Sequence, residues 1–277
     1  MQKSEKLLSV FGTHLPVAFV TGSGSKRVGR AIALHLARRG YKLVIHSRNS
    51  TSDVASLEAE IQAIGSEAIS VHGKVQDEST VEQWMSAIVA RFGRLDLLVN
   101  CAAVWEPQSI ESTTAEDVRF HFETNVLGSF LCSQKAGLQM VTQAHGGCIL
   151  MVGDWATEHP YQDFTAYFVS KGAIPTMTKS LAVELAARNP RIRVNAIAPG
   201  PILYADSINE QVKESILQQC PLKRHGHVDD LAEGVSFLAE SPFITGVVLP
   251  IDGGRTLGNP NNSDSHAHPK HSASKGT

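Results

Sequence analysis

Between Val17 and Asp252, short apolar runs rich in β-branched residues alternate with longer stretches whose apolar positions recur every three or four residues. The short runs predict seven strands: Val17–Val20, Lys42–His46, Ala68–His72, Leu95–Asn100, Cys148–Val152, Val194–Ile197 and Val247–Ile251. Strands that are apolar on both faces are covered on both sides, the condition of a parallel sheet. The periodic stretches predict helices over Val28–Arg39, Ser52–Ile64, Val81–Phe92, Ala115–Val141, Thr165–Ala187 and Val228–Glu240. No linker or internal repeat interrupts the rhythm. The pattern predicts one α/β domain over residues 16–256, a doubly wound seven-stranded parallel sheet with helices on both faces.

Outside that span the pattern fades. Residues 1–15 carry only a short apolar patch (Leu7, Leu8, Val10, Phe11), too little for a secretory signal, and are expected to form a flexible arm. Residues 257–277 are polar and aperiodic and are expected to be disordered. His266, His268 and His271 lie there, with nothing to pre-organise them as a metal site.

Composition removes several function classes. Apolar residues make up 42% of the 277, enough for a sizeable core, and the net charge of −2 gives no pull toward nucleic acid or an anionic membrane. No apolar run approaches the roughly 20 residues a membrane helix requires. Cys101, Cys132, Cys148 and Cys220 show no metal-ligand spacing and are expected to be reduced core thiols of a cytoplasmic protein.

Two places carry candidate chemistry. After the first strand, Thr21-Gly22-Ser23-Gly24-Ser25-Lys26-Arg27-Val28-Gly29 leads into a helix. A glycine-rich strand-to-helix turn lets backbone N–H groups approach a pyrophosphate at the helix N-terminus. The second strand ends His46-Ser47-Arg48-Asn49-Ser50, without the carboxylate that would hold a ribose 2′-hydroxyl. Ser47 and Arg48, with Lys26 and Arg27 nearby, suit a 2′-phosphate, so NADPH is the expected cofactor. The second place is Tyr167 and Lys171, four residues apart on one helical face, with Asp154 thirteen positions before the tyrosine. An ammonium beside a phenol favours the phenolate, which would tune Tyr167 for proton transfer near neutral pH.

Taken together, these motifs resemble the short-chain dehydrogenase/reductase superfamily over nearly all of residues 17–254. Besides the glycine loop and the Tyr167/Lys171 pair, the matching elements are Asn100-Cys101-Ala102-Ala103, Asn125 in Glu123-Thr124-Asn125-Val126, Pro199-Gly200 and Asp252-Gly253-Gly254. The resemblance implies a Rossmann-type fold and a homotetramer that uses the helices of residues 115–141 and 165–187. It implies that Tyr167 donates the proton and that Lys171 binds the nicotinamide ribose and lowers the tyrosine pKa. Asn125 would hold a helix bend and a proton-relaying water, and Asn100 would lie near the cofactor ribose. Cofactor contacts are implied at Gly22, Ser25, Lys26, Arg27, Val28, Ser47, Arg48, Asn49, Ala102, Pro199, Gly200 and Ile202.

The departures point to substrate. Asp154 stands where the family usually has serine. In this the chain is similar to the pteridine reductase branch, which also has the Lys-Arg-x-Gly of Lys26–Gly29 and an aromatic at the place of Trp105. That likeness implies reduction of a pterin-type C=N bond, with Trp105, Asp154, Tyr161 and Tyr204 around the substrate. The alternative is a carbonyl reductase of 3-oxoacyl thioesters or ketones. A lesser one is a non-catalytic NADPH-binding sensor, against which intact Tyr167, Lys171 and Asn125 speak. Three further differences are a glycine loop one residue longer than usual, Lys74 in place of an adenine-contacting aspartate, and Tyr204 where many members have threonine.

Overall fold

The computed structural model describes residues 3–203 and 209–258. Its seven strands are β1 (Val17–Val20), β2 (Lys42–Ser47), β3 (Ala68–His72), β4 (Leu97–Asn100), β5 (Gly147–Val152), β6 (Ile192–Pro199) and β7 (Val248–Ile251). They form one sheet in the order β3-β2-β1-β4-β5-β6-β7, and every adjacent pair is parallel. β1 and β4 are buried along their whole length, as their unbroken apolar runs require. The strand order reverses between β1 and β4, which opens a crevice at the carboxyl ends of the strands.

Helices α2 (Val28–Arg38), α3 (Thr51–Ala63) and α9 (Val228–Ala239) cover one face, around Ile32, Leu36, Leu57 and Leu231. Helices α4 (Glu78–Phe92), α6 (Ser129–Val141) and α7 (Thr165–Ala186) cover the other, around Trp84, Ile88, Met140 and Ile174. Local signals set several boundaries. Ser50 and Asp77 accept the N–H groups of Asp53 and Thr80 to start α3 and α4, and Gly93 ends α4 at φ +72°.

Three features differ from the sequence expectation. The amino-terminal segment is no flexible arm. Residues Lys3–Phe11 form helix α1, because Leu7 and Phe11, one turn apart, are both 1% exposed in the core beside α2. Phe11 meets the Tyr41 ring edge-on, and its carbonyl accepts from Arg94 Nη2 at 2.6 Å. The helix expected over Ala115–Val141 is α5 (Ala115–Phe122), a π-helical turn at Glu123–Gly128, and then α6. A further helix, α8 (Glu210–Gln218), lies in the segment between β6 and α9. The apolar run Ala173–Met177 faces largely inward, with Ile174 buried and Met177 packed on the core. Of the expected disordered tail, Leu257 closes a 3₁₀ turn (Arg255–Leu257), while residues 259–277, including the three histidines, lie outside the described residues.

Among the described residues no helix is long and apolar enough to cross a membrane, and no cluster of His, Cys, Asp or Glu could hold a metal ion. All four cysteines are free thiols.

Candidate active site

The crevice holds a cavity of about 750 Å³, lined by the segments that leave the carboxyl ends of β1 through β6. That volume suits a cofactor or a drug-sized ligand.

At one end is the glycine loop. Gly22 has φ +65°, and a Cβ there would lie 2.8 Å from the Ala102 Cα. A Cβ on Gly29 would meet the Gly22 carbonyl oxygen at 2.8 Å. The chain therefore folds back on itself more closely than any side chain permits. Arg27 starts α2 with no side-chain cap, and no acidic residue lies in the first turn. The leading amides of α2 are thus left to an anion, which fits a pyrophosphate.

His46 holds this end together. Its Nδ1 accepts from Gly22 N at 2.9 Å, its Nε2 lies 3.0 Å from the Gly73 carbonyl, and its own carbonyl accepts from Gly24 N at 2.9 Å. A carbonyl only accepts, so the ring proton sits on Nε2 and the imidazole is neutral. Burial holds its pKa down at about 4. At the end of β2, Ser47, Arg48 and Asn49 line the cavity with Lys74 and Arg27. The nearby carboxylate of Asp53 is engaged by Ser50 Oγ at 2.8 Å. The charge facing the cavity here is positive.

At the other end, Asp154 starts the short 3₁₀ turn after β5. Its Oδ1 accepts from Ala156 N at 2.8 Å, and its Oδ2 accepts from the Tyr167 hydroxyl at 2.6 Å. Tyr167 and Lys171 project from the first turns of α7, buried to 6% and 5% exposure. Lys171 Nζ donates to the Val152 carbonyl at 2.8 Å and lies 5.9 Å from the Tyr167 ring centre. The tyrosine is therefore not tuned as the spacing suggested. Burial, then the Asp154 charge, pushes its pKa well above the ordinary phenol value. Burial likewise raises Asp154 and lowers Lys171. All three groups are displaced toward their neutral forms.

Aromatic side chains wall this end. Trp105 stacks on Phe164 at 4.9 Å and 11°, and Tyr161 meets Phe164 edge-on at 5.3 Å. Phe164 covers one face of the indole, so a substrate ring has only the other.

Two family asparagines stand behind the wall. Asn125, in the π turn, accepts from Val104 N at 2.9 Å and donates to Val104 O and Ser170 Oγ at 3.1 and 2.9 Å. It ties the residue before Trp105 to the residue before Lys171, and it does not line the cavity. Such single π turns recur at functional sites. Asn100 donates to Ser133 Oγ at 2.8 Å, is 4% exposed, and also stays off the cavity wall. Its side chain is turned into the helix α6 contact. Lys26 is exposed and does not line the cavity either.

A family model described as enoyl-(acyl carrier protein) reductase matches residues 24–256. The 3-oxoacyl-[acyl-carrier-protein] reductase FabG of Staphylococcus aureus is 36% identical over 244 residues, 86% of this chain and 96% of the relative. The human 3-oxoacyl-[acyl-carrier-protein] reductase is 32% identical over 253 residues, 91% of this chain and 99% of the relative. Among solved structures, a putative short-chain alcohol dehydrogenase from Sinorhizobium meliloti superposes with a TM-score of 0.81 at 30% identity, covering 88% of this chain and 97% of that one. The chain is a short-chain dehydrogenase/reductase.

As a member of that family it is an oxidoreductase that works with a nicotinamide cofactor. Of the positions expected from sequence, Gly22, Ser25, Arg27, Val28, Ser47, Arg48, Asn49, Ala102, Trp105, Asp154, Tyr161, Tyr167, Lys171, Pro199, Gly200 and Ile202 share the one cavity. Tyr204 lies outside the described residues. Sequence reasoning missed His46, Phe164, Trp155 and Arg255, all on the cavity wall. His46 had one available signal, a polar residue directly after the apolar run Leu43-Val44-Ile45 and before the end of the strand.

Proposed function

We propose that this reductase uses NADPH to reduce the C=N bond of a flat, pterin-like nitrogen heterocycle. The observation that supports it most is the 2.6 Å contact of the Tyr167 hydroxyl with Asp154 Oδ2, at the position where the family usually has serine. NADPH, when bound, supplies hydride from its nicotinamide ring. Arg27, Arg48 and Lys74 would hold its 2′-phosphate side, and the amides at the start of α2 its pyrophosphate. The proton goes to ring nitrogen. Tyr167 holds it, and Asp154, hydrogen-bonded to the phenol, orients it and accepts from ring N–H donors. Trp105 offers its open face to the ring, and Asn125 holds the backbone of both walls.

A second reading is favoured by the relatives, whose names give 3-oxoacyl-[acyl-carrier-protein] reduction. Here Tyr167 protonates a carbonyl oxygen, and Asp154 replaces the serine hydroxyl only while it is protonated and able to donate. Reduction of a ketone would then fall as pH rises through the Asp154 pKa.

Oxidation of NADPH by the purified protein, with dihydrobiopterin, dihydrofolate, a 3-oxoacyl thioester and simple ketones in parallel, separates the two. Turnover of the dihydropterins at least tenfold above the carbonyl substrates supports the first reading, and the reverse order rejects it. We further propose a homotetramer built on α6 and α7, where Leu138, Val169 and Val183 stand exposed. Sedimentation of the pure protein tests this.

A further inference from the structure

One charged group on the cavity wall has no role in hydride or proton transfer. Arg255 follows Asp252-Gly253-Gly254 directly and sits in the 3₁₀ turn after β7, where it is 6% exposed and lines the cavity. Asp252 is no partner for it: its carboxylate accepts from Gly254 N at 2.9 Å and Thr256 N at 2.7 Å. The guanidinium donates from Nη1 to the Ile216 carbonyl at 2.9 Å and from Nη2 to Gln219 Oε1 at 2.7 Å. It lies 4.5 Å over the Trp155 ring. Its Nε is buried without a hydrogen-bond partner.

Charge balance singles this residue out. Arg30, Arg39 and Arg94 are paired with Glu60, Glu240 and Asp96. Arg255 takes part in no ion pair among the described residues. A buried guanidinium without an anion is costly, and the carbonyl end of α8 offers only about half a compensating charge. Arg193 shows what a purely structural role looks like. It is 5% exposed and caps the end of α9 through the Leu238 and Ala239 carbonyls, but it does not line this cavity and leaves no nitrogen orphaned. Arg255 has the same kind of cap with donors to spare: of five N–H groups, the two hydrogen bonds use two. Its ring partner, Trp155, is the residue after Asp154, so the spare donors and the proton-delivering pair share one wall. Its charge also reaches the Tyr161 phenol.

We propose that Arg255 is a substrate-binding residue and that the substrate carries an anionic group, a carboxylate or a phosphate, which this guanidinium receives. The inference rests on the cavity being the substrate site, and it holds for either a C=N or a C=O substrate.

Two acid–ester pairs test it: dihydrofolate with its dimethyl ester, and acetoacetate with methyl acetoacetate. Whichever pair is reduced reports the chemistry. The ratio of kcat/KM within that pair reports Arg255. The wild-type protein should favour the acid at least tenfold, mainly through KM. R255M should abolish that preference, losing at least tenfold more kcat/KM with the acid than with the ester, and R255K should retain part of it. A wild-type protein indifferent to the ester, or a preference that survives R255M, overturns the proposal. So does an R255M protein that loses acid and ester equally, which would make Arg255 a clamp for α8. If neither pair is reduced, the proposed chemistry fails, and malonate tests Arg255 alone. Malonate should raise the unfolding temperature of the NADP-bound wild type but not of R255M, and no rise in the wild type overturns the assignment.

Discussion

The two ends of the cavity are built differently. At the cofactor end the working groups are mostly main chain: Gly22, Gly24 and Gly73 are fastened to one another through His46, whose ring nitrogens and carbonyl all meet backbone atoms of other segments. At the substrate end they are side chains from four separate segments: Trp105 after β4, Asp154 after β5, Tyr167 on α7 and Arg255 after β7. The first end has its backbone frame tied together before any ligand arrives and leaves the leading amides of α2 and a positive edge for the ligand. The second keeps a carboxyl, a phenol and an amine displaced toward neutrality and a guanidinium without an anion. A site that serves one invariant ligand can have its frame finished in advance. One that performs proton transfer on a variable substrate keeps groups whose charge the substrate completes.

That contrast can be broken from either side. The largest effect is expected at the substrate end: Tyr167→Phe should lower turnover roughly 10²–10⁴-fold, because it deletes the proton donor and keeps the ring. Cofactor titration of the same variant should be unchanged. If NADPH affinity falls in parallel, the two ends are not separable.

At the cofactor end, the wild type should bind NADPH at least tenfold more tightly than NADH, a difference of about 1.4 kcal/mol. Arg48→Asp should shift the preference toward NADH, read by fluorescence titration of both cofactors, with little change in substrate KM. Equal affinities in the wild type would remove phosphate recognition from the account.

A separate effect, on stability rather than binding, is set by His46. Its folded pKa, about 4, lies below the ordinary 6.5, so the neutral imidazole contributes stability that is present above pH 6.5 and lost as pH falls toward 4. The loss over that window is on the order of 3 kcal/mol. Urea unfolding at a series of pH values should show it, and His46→Gln should flatten it. The same slope in both proteins would mean that another group carries the acid sensitivity.

The smallest expected change is at Asp154. Its folded pKa is raised by burial, so the ionised carboxylate weakens the fold increasingly as pH rises above the ordinary aspartate value. Asp154→Asn, which can still accept from Ala156 N, should match or slightly exceed the wild-type melting temperature at neutral pH. A clear fall would show that the carboxylate supports the fold.

The difference between the two ends also explains what the sequence revealed. The strand runs, the glycine loop and the absence of a carboxylate after β2 are signals contained in a few consecutive residues, and they led to one end of the cavity. Tyr167, Lys171 and Asp154 were found because helical spacing and family likeness place them together. Their electrostatics were not legible: Lys171 turns to the Val152 carbonyl, and burial outweighs it at Tyr167. The π turn at Asn125 depends on the Val104 amide, 21 residues away in the chain. Helix α1 is hard to see in the sequence because one short apolar patch makes a weak pattern, and only Leu7 and Phe11 of it are buried. The cleft they enter, beside Tyr41, exists only in the fold. Arg255 reads as a polar residue after a glycine pair until Trp155 and α8 are brought around it.

The central claim is that the Asp154–Tyr167 pair is built to deliver a proton to ring nitrogen. Asp154→Ser tests it most directly, with pH–rate profiles for a dihydropterin and a ketone measured on both proteins. The account predicts lower dihydropterin turnover, equal or better ketone turnover, and a lower apparent pKa for Tyr167, since the variant removes the carboxylate that raises it. A variant whose profiles match the wild type with both substrates would contradict the account and leave Asp154 without chemical work in this site.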